Sequence, residues 1–329
     1  MDGYIIGTII KAILILAIFS ALAGFGTYIE RKILAFMQRR LGPTHVGPYG
    51  ILQIAADGIK LFTKEDFIPS GANKIIFMIA PVITAATAFI AFAAVPILPE
   101  FEIFGIKVHP IVSDLNVGIL FVIAVMGLGL YGPLLAGMAQ DNKWGIIGSA
   151  RTAVQFISYE VVTGLSLLAP IMMVGSLSLI DFNNYQAGGI GNWIIWSQPV
   201  AFILFLISGF AETNRTPFDI LEHEAEIVSG YATEYSGLRW GMFFIGEYTN
   251  MIIIGFLASI VFLGGFNPWG FIPGGIAIIL KVSFFFFLML WVRASWPHIR
   301  PDQLMWLCWK VLMPIAVLNV LITGIVMMF

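Results

Sequence analysis

Eight apolar runs, each long enough to cross a bilayer, constrain this chain more than any other feature. A membrane-spanning helix needs about 20 apolar residues, and runs of that size lie near 4–29, 75–98, 115–138, 153–177, 190–211, 241–265, 271–296 and 310–329. Inside hydrocarbon every backbone N–H and C=O must be satisfied within the segment, so runs of this length read as helices. The sequence therefore predicts an all-α integral membrane protein. It is a bundle of about eight transmembrane helices, organised as a single membrane domain over 1–329. Composition agrees, with 59% hydrophobic and only 11% charged residues, about half the charged share usual in soluble domains. The first run is too long for the core of a cleavable signal peptide, and none is expected.

Charge sets the orientation. The loops after the first, third, fifth and seventh runs hold 14 of the 17 basic residues, and the loops after the second, fourth and sixth hold only Lys107. Positive loops stay inside. Both termini are thus expected on the outer side, and the nine tryptophans, all near segment ends or in adjoining loops, fit an interfacial belt. Between the first two runs, 49–64 is periodic. Ile51, Leu52, Ala55, Ile59 and Phe62 share one helical face, and Gln53, Asp57, Lys60 and Lys64 the opposite one. This predicts an amphipathic helix lying in the interface, which would anchor the chain or roof a cavity opening at the lipid surface. Gly127, Gly129 and Gly132 spell the dinucleotide fingerprint, but inside an uncharged span with no preceding strand the glycines read as close helix packing.

The stretch 211–240 is unlike the rest. It carries six carboxylates (Glu212, Asp219, Glu222, Glu224, Glu226 and Glu234) against two bases, Arg215 and Arg239. Thr216-Pro217-Phe218-Asp219 has the signature of a helix start, a Thr cap followed by Pro at the first position, with Asp able to close a capping box. The helix would end near Gly230 and place Asp219, Glu222 and Glu226 on one face. Such carboxylates repel one another unless protons or the two arginines relieve them. Ionisable residues also lie deep in the spans: Glu160, Glu247 and Lys281, with Lys11 closer to an end. Each costs at least ~2.5 kcal/mol at the bilayer centre and so tends to face the bundle interior and serve a site or path; Lys11 can instead snorkel to the outer surface.

Several function classes drop out. One cysteine, Cys308, cannot hold an iron–sulfur cluster by itself or close an internal disulfide. The four histidines (His45, His109, His223 and His298) have no metal-ligand spacing, and no phosphate-binding loop, flavin motif or nucleophile–base pair is visible. No metal or cofactor bound by this chain alone is expected, and no nucleic-acid partner.

Glu30-Arg-Lys-Ile-Leu-Ala-Phe-Met-Gln-Arg-Arg-Leu-Gly-Pro43, Asp57-Gly-Ile-Lys-Leu-Phe-Thr-Lys-Glu65, Ala150 to Glu160, Ala211-Glu-Thr-Asn-Arg-Thr-Pro-Phe-Asp219, Thr233 to Gly237 and Phe243-Phe-Ile-Gly-Glu-Tyr248 together resemble the quinone-site membrane subunit of respiratory complex I, the H-subunit family of NADH:quinone oxidoreductase. The motifs run in the family's order over nearly the whole chain. Leu221, His223 and Ala225 stand where the family commonly has Pro, Ala and Gln, and Ala232 where many members have His.

The resemblance implies a non-redox membrane subunit of a proton-pumping NADH:quinone oxidoreductase, active only within the complex and coupling quinone reduction to proton translocation. Quinone is then the substrate. Implied partners are the lipid bilayer and the other membrane and peripheral subunits, including the quinone-site and iron–sulfur subunits. The implied location is an energy-transducing membrane, such as a bacterial inner membrane. By the same resemblance Arg31, Asp57, Lys60 and Lys64 line the quinone access route. Arg215, Asp219, Glu222, Glu226 and Glu234 form a charged coupling loop, and Glu160, Glu212 and Glu247 carry the path into the membrane. Two other readings compete. One is the anchor of a related energy-converting hydrogenase or a ferredoxin- or deazaflavin-linked complex. The other is a stand-alone proton-linked transporter, against which the absence of paired Gly/Pro-broken segments in the two halves counts.

Overall fold

The structure, a computed structural model, describes residues 2–103, 106–108, 111–222, 224–268, 270 and 272–328. In chain order the helices are α1 (Asp2–Met37), α2 (Gln53–Thr63), α3 (Lys74–Ala91), α4 (Gly118–Gly129), α5 (Tyr131–Ala139), α6 (Lys143–Val174), α7 (Leu179–Tyr185), α8 (Ile194–Ser197), α9 (Pro199–Glu212), α10 (Glu224–Ile227), α11 (Gly237–Phe262), α12 (Gly274–Ser295), α13 (Pro301–Leu307) and α14 (Met313–Val326). A short antiparallel hairpin, β1 (Phe101–Ile103) on β2 (Ile106–Val108), sits in the loop between α3 and α4. The protein is thus an all-α integral membrane protein apart from this hairpin. Among the described residues, seven helices are long and apolar enough to cross a bilayer, counting α4–α5 and α13–α14 as one span each.

Local chemistry sets the ends. Asn73 and Asn142 cap α3 and α6 by accepting from the backbone N–H of Ile76 and Trp144, as N-cap side chains do. Gly175, at φ +71, closes α6 in the left-handed conformation. The third span breaks at Leu130 because Pro133 has no N–H to give the carbonyl of Gly129. The fingerprint glycines do pack closely. A Cβ at Gly132 would overlap Thr84 Oγ1 of α3, and one at Gly246 of α11 would lie 2.8 Å from Thr84 Cγ2, so Thr84 is clasped between two helices.

α11 is the axle of the bundle. It packs against α1, α3 and α12, and 83% of its most apolar stretch is buried, against 17% for α1 and for the α13–α14 span. α6 runs beside α9 and α14.

Two segments differ from the sequence reading. The run 190–211 does not make one long helix. Pro199 starts α9 afresh, and its 14 residues reach about 21 Å, short of the hydrocarbon thickness of about 30 Å. The helix expected from Thr216 does not form. From Thr213 to Glu222 the chain is turns and irregular backbone, and among the described residues of the expected helix only Glu224–Ile227 is α-helical, followed by a 3-10 turn at Gly230–Ala232. The reason is tertiary. Phe218 and Ile220 are buried in the main core, whereas Leu221 is buried in a second core with Tyr231 and Ala232. The amphipathic helix forms as α2 where it was expected: its apolar face (Ile51, Leu52, Ile59 and Phe62) is left exposed, as a helix lying against lipid leaves it, and Ile54, Asp57, Gly58 and Leu61 face the bundle. The departure at His223 lies outside the described residues.

Candidate functional site

The ends of α1, α11 and α12 and the loop after α9 converge on one buried carboxylate. Glu30 sits on the face of α1 that also carries the buried Phe19 and Ala23, and is 5% exposed. It accepts a hydrogen bond from the Tyr248 hydroxyl at 2.7 Å, meets Arg215 Nη1 at 3.4 Å, and receives Arg293. Arg215 is itself buried. Its guanidinium lies 4.5 Å from the Tyr248 ring centroid, and its Nη2 is 3.5 Å from Glu247 Oε2. Burial works against its charge, but Tyr248, Glu30 and Glu247 outweigh burial and hold the guanidinium above its ordinary pKa. Two carboxylates and two guanidiniums thus share one water-poor site, which a buried charge requires.

Above this cluster is a polar chamber of about 840 Å³ lined by Thr216, Asp219, Glu222, Arg293 and His298, with Trp240 and Phe244 along one wall. Glu222 joins the chamber to the buried cluster. It shares a hydrogen bond with the Tyr231 hydroxyl, and that hydroxyl donates to Glu247 Oε1 at 3.5 Å. Burial pushes the Glu222 carboxyl up to about 7. The Tyr231 hydrogen bond pulls the other way, the Asp219 charge adds to the rise, and Arg215 and Arg293 oppose it. Burial likewise raises the Tyr231 phenol, and Glu222 adds to the effect. Gly230 makes the turn possible. At φ +51 it runs so close to the carbonyl of Leu221 that no Cβ fits.

A second cavity, about 290 Å³ and mostly apolar, lies under α2 between α1 and α11. Arg31, Asp57 and Lys60 line it, and Arg31 Nη1 pairs with Asp57 Oδ2 at 2.6 Å while Gln53 Nε2 steadies the other oxygen. Lys64 ends α2 in an extended conformation and is exposed.

Deeper in the bundle, Glu212 is buried at the end of α9 and feels the charge of Glu160 on α6. Glu160 packs against Gly127, where a Cβ would lie 2.8 Å from its Oε1. Between this pair and the Arg215 cluster, Gln155 Nε2 donates to the carbonyl of Ala211 and to Asn214 Oδ1. The buried Gln155 Oε1 and Tyr159 hydroxyl have no protein partner among the described residues.

Of the residues expected to form the site, the structure brings Arg215, Asp219, Glu222 and Glu247 together, sets Glu160 and Glu212 as a second pair, and gathers Arg31, Asp57 and Lys60 at the apolar cavity. Glu226 and Glu234 stand apart. Glu226 is exposed and pairs with Arg151 at 2.6 Å, and Glu234 accepts from Asn142 Nδ2 at 3.0 Å. Lys281, which its depth marks as functional, instead donates to the carbonyls of Leu263 and Gly265 at 2.6 and 2.7 Å and lies 4.7 Å from the Trp193 ring centroid. That caps the end of α11. Glu30, Arg293, Tyr231 and Tyr248 were missed by the sequence reading. No group of three or more potential ligands with metal-holding geometry occurs among the described residues.

Residues 10–324 match the NADH dehydrogenase family model. The chain is 76% identical over 328 residues to the H subunit of NADH-quinone oxidoreductase from a Nitratiruptor species, covering 99% of both chains. It is 71% identical over 327 residues to that of Wolinella succinogenes, again covering 99% of both. With the Helicobacter hepaticus protein of the same name it shares 64% over 329 residues, 100% of this chain and 99% of the other. Full-length identity at this level, over a bundle that gathers its ionisable residues at one end, makes the chain a member of the NADH dehydrogenase family, among the H subunits of NADH-quinone oxidoreductase.

Proposed function

We propose that the chain is the non-redox membrane subunit of a proton-translocating NADH:quinone oxidoreductase, seated in a bacterial energy-transducing membrane, with α8 and α9 together completing an eighth crossing that puts both termini on the outer face. Its part is positional and protonic. Peripheral iron–sulfur and quinone-site subunits dock over the charged end of the bundle, and quinone rises from the lipid beneath α2, past Arg31, Asp57 and Lys60. Its ring then meets the polar chamber. The names of the full-length relatives and the pairing of an apolar cavity with a polar one support this reading.

One observation carries the coupling. Glu222 faces the chamber and, through the Tyr231 hydroxyl, touches Glu247 inside α11. Reducing quinone, or drawing protons from nearby groups to make quinol, changes the chamber's charge by one or two units. At 4 Å and an effective dielectric of about 20, each unit is worth on the order of 4 kcal/mol. That corresponds to about three pKa units, enough to reprotonate coupled carboxylates. Asp219 and Glu222 sense the change, Glu247 carries it to the Arg215 cluster, and Glu212 and Glu160 continue it into the membrane. Glu226 and Glu234 hold the loop's rim in place.

Glu247→Gln keeps the shape and one of the two acceptor oxygens but cannot ionise. In proteoliposomes holding the assembled complex, we expect at least a tenfold loss of proton translocation with the complex intact. Wild-type turnover and pumping in that variant would make the burial of Glu247 structural and sink the coupling path.

A further inference from the structure

Trp240 and Phe244, one helical turn apart on α11, line both the apolar cavity under α2 and the polar chamber beyond it, and among the described residues they alone are shared by the two linings. Their ring centroids are 4.3 Å apart, and Phe244 leads on to Tyr248 at 5.8 Å, the ring on which Arg215 rests. Both residues are half-buried: Trp240 leans on the second core and Phe244 on the main one, each with part of its ring open to the cavities. The neighbouring backbone, by contrast, is held. Arg239 pairs with Asp66 at 3.0 Å, and a Cβ at Gly241 would lie 3.1 Å from Leu61 Cδ1, which fixes the start of α11 against the end of α2. A held frame therefore carries two partly open aromatic rings at the boundary between an apolar and a polar space.

We infer that the Trp240–Phe244 pair is a size-selecting partition, and that its opening sets which quinone rings reach the chamber. The inference rests on the reading of quinone as substrate. A planar ring can slip in by replacing one member of the stack with an offset stack of its own, retaining most of the aromatic contact. A wider ring must push both side chains aside, and the pinned backbone gives it little help. The pair stands at the boundary that the two linings share, so on this chain discrimination by ring width is assigned to it. Trp240 and Phe244 are specificity-determining residues here and take no part in the chemistry.

The test compares a monocyclic benzoquinone and a bicyclic naphthoquinone bearing the same tail, using the whole complex with wild-type chain, Phe244→Ala, Phe244→Trp and Trp240→Phe. Each preparation is normalised to its rate with a water-soluble ferric acceptor, which reports intact donor-side electron transfer. The readout is the ratio of kcat/KM for the two quinones. Phe244→Ala should shift that ratio at least threefold toward the naphthoquinone, and Phe244→Trp should shift it the other way. If Phe244→Ala fails to assemble, the milder Trp240→Phe must show the first shift. Ratios unchanged across the series, with the wild-type complex active, overturn the partition alone. A wild-type complex that reduces neither quinone overturns the quinone reading and the partition with it.

Discussion

Glu222 stands where solvent-facing chemistry meets the buried cluster, and its ionisation follows from that position. Burial raises the carboxyl to about 7 against the pull of Tyr231, Arg215 and Arg293. Below that pH it is mostly protonated and can hand a proton inward or to a reduced quinone; above it the proton is gone. Turnover should therefore fall as pH rises through about 7, and Glu222→Gln should lose that limb of the profile while the complex stays assembled. A kcat-against-pH series on the reconstituted complex checks this, and an unshifted midpoint in the variant rules Glu222 out as the titrating group. The carboxylates and Arg215 were legible in the sequence because charge beside long apolar runs stands out. Glu30 was not, since Glu30-Arg31-Lys32 reads as a solvated helix end. It lies 7 and 11 residues after Ala23 and Phe19, which returns it to the same helical face, but a span that is apolar all round does not reveal which face is buried.

Helix α3 shows what the glycines of α5 and α11 are for. A Cβ at Gly132 would overlap Thr84 Oγ1 and lie 2.9 Å from the carbonyl oxygen of Ala80, whereas Gly164, exposed on α6, has nothing within 4 Å. Overpacking costs about 1–3 kcal/mol, and a helix-interior Gly→Ala without a clash gains about 0.5–1 kcal/mol. Gly132→Ala should therefore lower the thermal midpoint of the purified complex by several degrees, and Gly164→Ala should hold or raise it. Equal midpoints would mean that α3 and α5 part without cost. At this scale the spans were legible but their ends were not. Hydropathy stops where charge begins, whereas helical hydrogen bonding continues, so α6 starts at Lys143 and carries Arg151 inside it. The loop from Thr213 to Glu222 was misread because its local capping signal is overridden by burial in two cores, which local sequence does not encode. The amphipathic helix was read in the right place. The residues it turns to the cavity, Ile54, Asp57, Gly58 and Leu61, are set by the packing of α1 and α11.

At the scale of the molecule, the fold class and the membership in the NADH dehydrogenase family were both legible, the first from hydropathy and the second from ordered motifs. The site was legible only in part, because its closest contacts join residues far apart in the chain: Glu30 receives Arg215, Tyr248 and Arg293. Periodicity reports faces of single helices and says nothing of which faces meet. The burial of α11 has a further consequence. A span that touches lipid must tilt or deform when bilayer thickness changes, and here that adjustment falls on α1 and the C-terminal span. α11, sheathed by its neighbours, feels thickness only through them. Reconstituting the complex in short-chain and long-chain lipids should shift the infrared signature of labels placed on α1 or α14 and leave the Glu247 carboxyl band where it is. A Glu247 band that follows acyl-chain length would show that the sheath transmits the strain. If the band holds, the bundle lets one proton-handling helix work at the same geometry in membranes of different thickness.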